Sequence, residues 1–219
     1  MESFSVYCLK YADSCISESM VFSIGDALKS IPITFTFYLI KAQNRNILID
    51  VGCDSMPDFE MKCFYSPPFV LRQADISADE VTDIILTHAH HDHIEAVKYY
   101  KNATVYINQA EYPAAKPYFS EDTRVITFEN ELTLTPQIRV LKWGGHSCGS
   151  CIVEIACKDG LHILCGDECY TNECISKGIP TGASFDPAKS LEFIKKYSSC
   201  TVHTCHDPSL DTALVFSHD

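Results

Sequence analysis

The chain has 219 residues, 46% of them hydrophobic, with a formal net charge of −12. That length and apolar content allow one large domain with a sizeable buried core, and we read residues 1–219 as a single domain. The acidic balance argues against a nucleic-acid-binding face, which needs a basic patch, and no stretch reaches the ~20 apolar residues of a membrane span.

The first ten residues mix polar and apolar side chains, without the basic start and apolar run of an export signal. The longest apolar candidate, residues 31–40, is interrupted by Pro32, Thr34 and Thr36. A soluble cytoplasmic protein is expected. Its 12 cysteines are then expected as free thiols in a reducing compartment. Residues 35–40 and 46–51 are strand-like and joined by the polar turn Ala42-Gln43-Asn44-Arg45. Residues 56–72 are rich in proline and aromatics and have no clear period, which predicts a loop. Phe59, Phe64, Tyr65 and Phe69 in it are candidates for an apolar pocket wall, or for simple packing of a long loop.

Ser77-Ala78-Asp79-Glu80 fits a capping box, so a short helix is expected to start there. The run at 81–87 predicts a buried strand, and a helix is expected over 92–100. Further strands are expected at 104–107, 125–128 and 138–142. Residues 152–156 and 162–165 predict a hairpin across Asp159-Gly160. Asp186-Pro187 supplies an N-cap and first-turn pair for a helix over 188–197. A last strand, 201–205, runs into His206. Mixed elements of this kind suggest two sheets with helices outside.

The strongest chemical signal is Thr87-His88-Ala89-His90-His91-Asp92-His93, where a hydrophobic strand gives way to a helix. Side chains two apart in extended chain point the same way, so His88 and His90 can reach one ion. Asp92 and His93 point elsewhere, which suits a second ion close by. Imidazole with carboxylate suits zinc, iron or manganese better than calcium or magnesium. Four residues cannot complete two sites. His146, in Gly144-Gly145-His146-Ser147, Asp167 after Gly166, and His206 each follow a predicted strand. Strand ends are where such sheets present their functional loops.

The ordered set His88-x-His90-x-Asp92-His93, His146, Asp167 and His206 resembles the full ligand set of metallo-β-lactamase-fold hydrolases. The resemblance runs from Asp50-Val51-Gly52 to His206. It implies an α/β fold, a four-layer αββα sandwich with mixed sheets and helices outside, and two divalent metal ions at one edge of the sheets. Zinc comes first among the candidates, then iron or manganese. Position by position, His88, His90 and His146 would hold the first ion, Asp92, His93 and His206 the second, and Asp167 would bridge them. His91 fills a variable position and is not expected to be a ligand. Within this fold, Asp167-Glu168-Cys169-Tyr170-Thr171, Phe185-Asp186-Pro187 and His206-Asp207 look most like the N-acyl homoserine lactonases. Tyr170 stands where those enzymes carry a tyrosine that contacts the substrate carbonyl. The sequence departs from the pattern at Ile94-Glu95-Ala96, where glycines usually stand, and at Cys148, where proline is usual.

The resemblance implies a small-molecule lactone or ester as substrate, opened by an activated hydroxide. Tyr170 would meet the developing charge on the carbonyl oxygen and Asp92 would pass on a proton, which makes these two the catalytic candidates. Neither a nucleic-acid nor a membrane partner is expected. The alternatives are a thioesterase of the glyoxalase II kind, a phosphodiesterase, or a non-catalytic metal-binding protein. The thioesterase branch holds glutathione with a basic C-terminal extension, and the thirteen residues after His206 leave no room for one. His162 and His203 lie inside strands and read as structural. Cys148-Gly149-Ser150-Cys151 has zinc-site spacing but no second pair beside it. Cys165 is expected to face the core and Cys169 to line or approach the site.

Overall fold

The strands form two sheets in a computed structural model that describes residues 3–57 and 59–218. In chain order the strands are β1 (Phe4–Ser17), β2 (Ser30–Ala42), β3 (Asn46–Ile49), β4 (Asp83–Leu86), β5 (Thr104–Asn108), β6 (Arg124–Phe128), β7 (Glu131–Thr133), β8 (Ile138–Lys142), β9 (Cys151–Cys157), β10 (Gly160–Leu164), β11 (Thr201–His203) and β12 (Ala213–His218). The α-helices are α1 (Glu18–Val21), α2 (Pro67–Leu71), α3 (His91–Ile94), α4 (Tyr112–Ala115), α5 (Asn172–Lys177) and α6 (Pro187–Tyr197).

One sheet has the order β12-β1-β2-β3-β4-β5-β6 and the other β11-β10-β9-β8-β7. From β3 to β6 the pairing is parallel. Strand β4, Asp-Ile-Ile-Leu, is buried throughout, as a central parallel strand covered on both faces must be. The inner faces meet in a shared core of Val6, Tyr38, Ile40, Ile49 and Ile85 against Val140, Val153, Ile155 and Leu164. Helix α6 covers the outside of the smaller sheet through Phe193, Ile194 and Tyr197. Residues of α2 and α3, with the 3-10 helix Glu95–Tyr99, cover the outside of the larger one. This is the αββα layering implied by the sequence. Among the described residues no helix is long and apolar enough to cross a membrane.

Several elements differ from expectation. Strands β1 and β12 have no sequence counterpart. In β1 the register shifts between Lys10 and Ala12, so buried positions fall at Cys8, Leu9, Tyr11 and Ala12 and the two-residue alternation is lost. The helix expected over 92–100 is one α turn, α3, followed by the 3-10 helix Glu95–Tyr99. Its backbone is claimed from outside: Val51 N donates to His93 O (2.9 Å), and Ala96 N donates to Gly52 O (3.0 Å). The capping box at Ser77 is present, but it caps only a single 3-10 turn, Ala78–Glu80. The loop expected over 56–72 contains α2, which starts on Pro67 and Pro68; Asp58 in that loop lies outside the described residues. The hairpin turn sits one residue early. Gly160 pairs with Cys157, so Lys158 and Asp159 form the two-residue loop.

Candidate metal centre

Five chain segments leave β3, β4, β8, β10 and β11 at the same edge and meet there. The segment after β4 is fixed first. Asp50 follows β3 in a left-handed conformation (φ 62°). Its Oδ1 accepts from Thr87 N (2.7 Å) and its Oδ2 from Thr87 Oγ1 (2.8 Å). Thr87 O in turn accepts from Cys151 N of the other sheet (2.9 Å), so the histidine segment starts where both sheets grip it. His90 is extended (φ −70°, ψ 150°), which sends the His88 and His90 rings to one side.

His146 lies in the loop between β8 and β9. The buried carboxylate of Glu168 shapes that loop, accepting from Gly145 N (3.1 Å), His146 N (3.2 Å) and Ser150 Oγ (2.5 Å). A side chain at Gly145 would place its Cβ 2.1 Å from Glu168 Oε2, so only glycine fits. Glu111 ties the two histidine loops together. Its Oε2 accepts from Ala89 N (3.0 Å), and its Oε1 accepts from Ser147 Oγ (2.7 Å) and Gly149 N (2.8 Å). Asp167 follows Gly166, whose positive φ of 53° and a would-be Cβ 2.9 Å from Thr87 Oγ1 let the chain pass directly under the histidines.

The convergence is tight. His88 Nε2 lies 3.0 Å and His146 Nε2 2.8 Å from His90 Nδ1. Asp167 Oδ2 is 3.6 Å from His88 Nε2, 3.4 Å from His146 Nε2 and 3.4 Å from His93 Nε2. Asp167 Oδ1 is 3.3 Å from His206 Nε2. Asp92 Oδ2 is 3.6 Å from His93 Nε2 and 3.7 Å from His206 Nε2. The donors fall into two groups, His88, His90, His146 and Asp167 in one and Asp92, His93 and His206 in the other, each within 4.8 Å.

Partners behind the rings set the tautomers. A carbonyl only accepts, so His146 Nδ1 donates to Ala183 O (2.6 Å) and His206 Nδ1 to Thr34 O (2.8 Å). His93 Nδ1 donates to Asp50 Oδ2 (2.8 Å). The Thr87 hydroxyl is spent on Asp50, so its oxygen accepts from His88 Nδ1 (3.0 Å). In all four rings Nε2 is therefore the nitrogen turned inward and left for a metal. Burial keeps His88 and His146 below the usual imidazole range, hence neutral. Burial also opposes charge on His93 and His206, but Asp167 and Asp92 outweigh it and raise both. Asp167 is buried too, yet His93, His206 and His146 hold its carboxyl well below the usual range.

These residues fit a pair of cations. At the middle of the cluster, His93 Nε2 and Asp167 Oδ1 are fully buried with no hydrogen-bond partner. Buried polar atoms normally have one. His90 Nδ1 can give its proton to only one of the two lone pairs facing it. Positive ions satisfy all of these atoms, and displacing the protons of His93 and His206 is the ordinary accompaniment of metal binding.

The family described as the Metallo-beta-lactamase superfamily matches residues 36–198. The chain belongs to the metallo-beta-lactamase superfamily. Among curated proteins, superfamily relatives include the N-acyl homoserine lactonase AiiB of Rhizobium rhizogenes, 24% identical over 90% of this chain and 87% of that one. Two solved structures share the fold. An N-acyl homoserine lactone hydrolase with N-hexanoyl-L-homoserine bound at its catalytic metal center superposes with a TM-score of 0.80, 22% identity and 94% coverage of both chains. AidC, a dizinc quorum-quenching lactonase, superposes at 0.75 with 18% identity, over 96% of this chain and 90% of the other.

In this superfamily member the cluster forms the floor of a cavity of about 310 Å³. Its walls are Ile16, Met20, Ile33, Phe35, Met56, Pro57, Phe59 and Ala183, and no lysine or arginine lines it among the described residues. Tyr170 lines it as well, its ring 4.8 Å from that of His206. Of the four aromatics singled out in the sequence, only Phe59 borders this cavity. Tyr65 and Phe69 stack on each other instead and, with Phe64, stay exposed. Cys165 is in the core as expected. Cys169 is not at the site: it packs with Cys165, Cys174 and Phe193 on the α6 side of the sheet. Cys148 is exposed while Cys151 is buried, its thiol 3.2 Å from Gly149 O, so the Cys-x-x-Cys pair does not face one point. His91 turns away from the cluster, with ring nitrogens 3.2 Å from Tyr118 Oη and 2.8 Å from Ser55 O. Asp50, Glu111 and Glu168 were not singled out as individual site residues. A lone carboxylate carries no spacing signal, and only the fold shows that each is buried against a ligand-bearing loop.

Proposed function

We propose that this protein is a metal-dependent hydrolase that opens a lactone, or cleaves a related ester, at a dinuclear centre. One observation carries the proposal: seven inward-aimed imidazole and carboxylate donors floor an apolar cavity that, among the described residues, is lined by no lysine or arginine. A phosphodiester, or the carboxylates of glutathione, would call for such a cation. A neutral lactone or ester needs none. The lactonase relatives support the same substrate class.

His88, His90 and His146 would hold one ion, Asp92, His93 and His206 the other, with Asp167 shared. Zinc suits a donor set of imidazole and carboxylate, with iron or manganese next. Bound there, the ions supply Lewis acidity and lower the pKa of water toward neutrality. The protein's own groups do the rest. The apolar walls exclude bulk water and hold the acyl part of the substrate. Burial, with the Asp167 and Asp92 carboxylates, raises Tyr170 well above the usual phenol range, so it keeps its proton and can donate to a carbonyl oxygen gaining charge. Asp92, partly open to the cavity, has a spare oxygen that can take a proton on to the leaving alkoxide. The cytoplasm is the compartment we propose, consistent with all 12 cysteines being free.

Two measurements test this. Protein loaded with zinc or manganese should hydrolyse a neutral lactone or aryl ester at least ~100-fold faster in kcat/KM than an activated phosphodiester; the reverse order overturns the substrate class. Tyr170→Phe should lower kcat about 10- to 100-fold with little change in bound metal, as for one donor among stronger contacts. An unchanged kcat removes Tyr170 from the mechanism.

A further inference from the structure

At the β9–β10 hairpin lies a second group of metal-ligand side chains. Strand pairing sets Ile155 opposite His162 and Cys157 opposite Gly160, so Cys157 and His162 stand as diagonal neighbours on the inner face of the sheet. The two-residue turn carries Asp159 back over them. Both Asp159 oxygens lie 3.2–3.3 Å from His162 Nε2. The Cys157 thiol, the Asp159 carboxylate and the His162 ring each offer a donor atom within 4.8 Å of the other two.

The imidazole is fixed from behind. His162 Nδ1 lies 3.0 Å from His203 Nε2 on the neighbouring parallel strand β11. The two rings are stacked at 6°, and Phe216 of β12 lies 3.9 Å from His162 and 5.2 Å from His203. His203 Nε2 is placed to accept the Nδ1 proton of His162. In that tautomer the His162 Nε2 lone pair is presented to a cation between Asp159 and Cys157. A metal-bound histidine commonly has its other nitrogen held in this way.

We propose that Cys157, Asp159 and His162 form a separate, solvent-accessible site for a thiophilic divalent cation, zinc by preference, with His203 as its positioning residue. Thiolate with imidazole and carboxylate selects zinc over calcium or magnesium. A tetrahedral zinc with bonds of ~2.0–2.3 Å holds its donors ~3.5 Å apart. The remaining closure falls to Asp159, whose side chain is 69% exposed on a turn and free to move. Water fills the fourth position. Five residue steps of mostly extended chain lead from His162 to Asp167, on the order of 15 Å at ~3.3 Å per residue, so this ion is not one of the catalytic pair. It would clamp the turn of β9 and β10 to the sheet.

The dinuclear cluster contains no thiolate, so cobalt distinguishes the sites. Titrating the metal-free full-length protein with cobalt(II) should raise a thiolate-to-cobalt charge-transfer band in the near ultraviolet. Cys157→Ser should lack that band, bind one equivalent less zinc by elemental analysis, and hydrolyse ester substrates at the wild-type rate. Asp159→Asn should lower the affinity of the extra equivalent. His203→Gln should weaken it about 10- to 100-fold while keeping the band at saturation. A Cys157→Ser protein that retains the band, or that binds as much zinc as the wild type, overturns the proposal. Because the readout is a difference of one equivalent and a sulfur-specific band, it stands apart from whether the catalytic pair is a lactonase centre.

Discussion

Asp167→Asn is expected to lower kcat/KM of the metal-loaded protein by about 1000-fold or more. Among the described residues Asp167 is the carboxylate that reaches both donor groups: Oδ2 faces His88, His146 and His93, and Oδ1 faces His206. Two cations held close together would repel each other, and the shared negative charge would make the pair tolerable. An amide of the same size keeps the packing and removes that charge. Losing one ion withdraws several kcal/mol of Lewis-acid stabilisation, and about 4 kcal/mol corresponds to a ~1000-fold loss. Elemental analysis should show at least one bound ion fewer than the wild type, with the fold kept by circular dichroism. Full activity with the wild-type metal content would show that Asp167 bridges nothing.

Asp50→Asn is the second large effect, and it acts without touching the ions. Asp50 Oδ1 accepts from Thr87 N, and Oδ2 accepts from both Thr87 Oγ1 and His93 Nδ1. Placing the amide oxygen on the backbone N–H puts the NH2 against His93. It then donates to Nδ1, and the ring proton moves to Nε2, the atom meant for metal. In a serine-protease triad this kind of tautomer inversion costs about 10⁴-fold with geometry intact. For a residue supporting a metal ligand, losses of 10- to 100-fold in affinity are typical. We therefore expect at least ~100-fold weaker binding of the ion held by His93, measured by competition with a chelator, and a matching loss of activity. Asparagine tolerates the left-handed backbone at position 50, so the fold should survive. Wild-type metal affinity in Asp50→Asn would mean that His93 is not oriented through Nδ1.

How far the sequence went follows from what kind of information it holds. The histidine segment was legible because its donors sit within seven residues, and His146, Asp167 and His206 because each follows an apolar strand. The structure brings all of them to one edge. Among the parallel strands, β4 was visible as a short apolar run. Strand β1 was not, because its bulge breaks the alternation, and it carries Tyr11, whose hydroxyl donates to Asp92 O (2.9 Å). Nor could the sequence show that α3 lasts a single turn, since the atoms that claim its backbone belong to Val51 and Gly52. Cys169 was misplaced for a similar reason. The chain turns between Asp167 and Tyr170, and that bend, not alternation, decides which residue faces the cavity.

The donors come from both sheets, with His88 to His93 following β4 of one and Asp167 and His206 following β10 and β11 of the other. Ions at this rim would act as rivets through the sandwich. A denatured chain offers them only the short His88–His93 stretch, so nearly all of their binding energy belongs to the native state, and mass action converts it into resistance to unfolding. Chelation would therefore loosen the seam between the sheets at the same moment that it silences the chemistry.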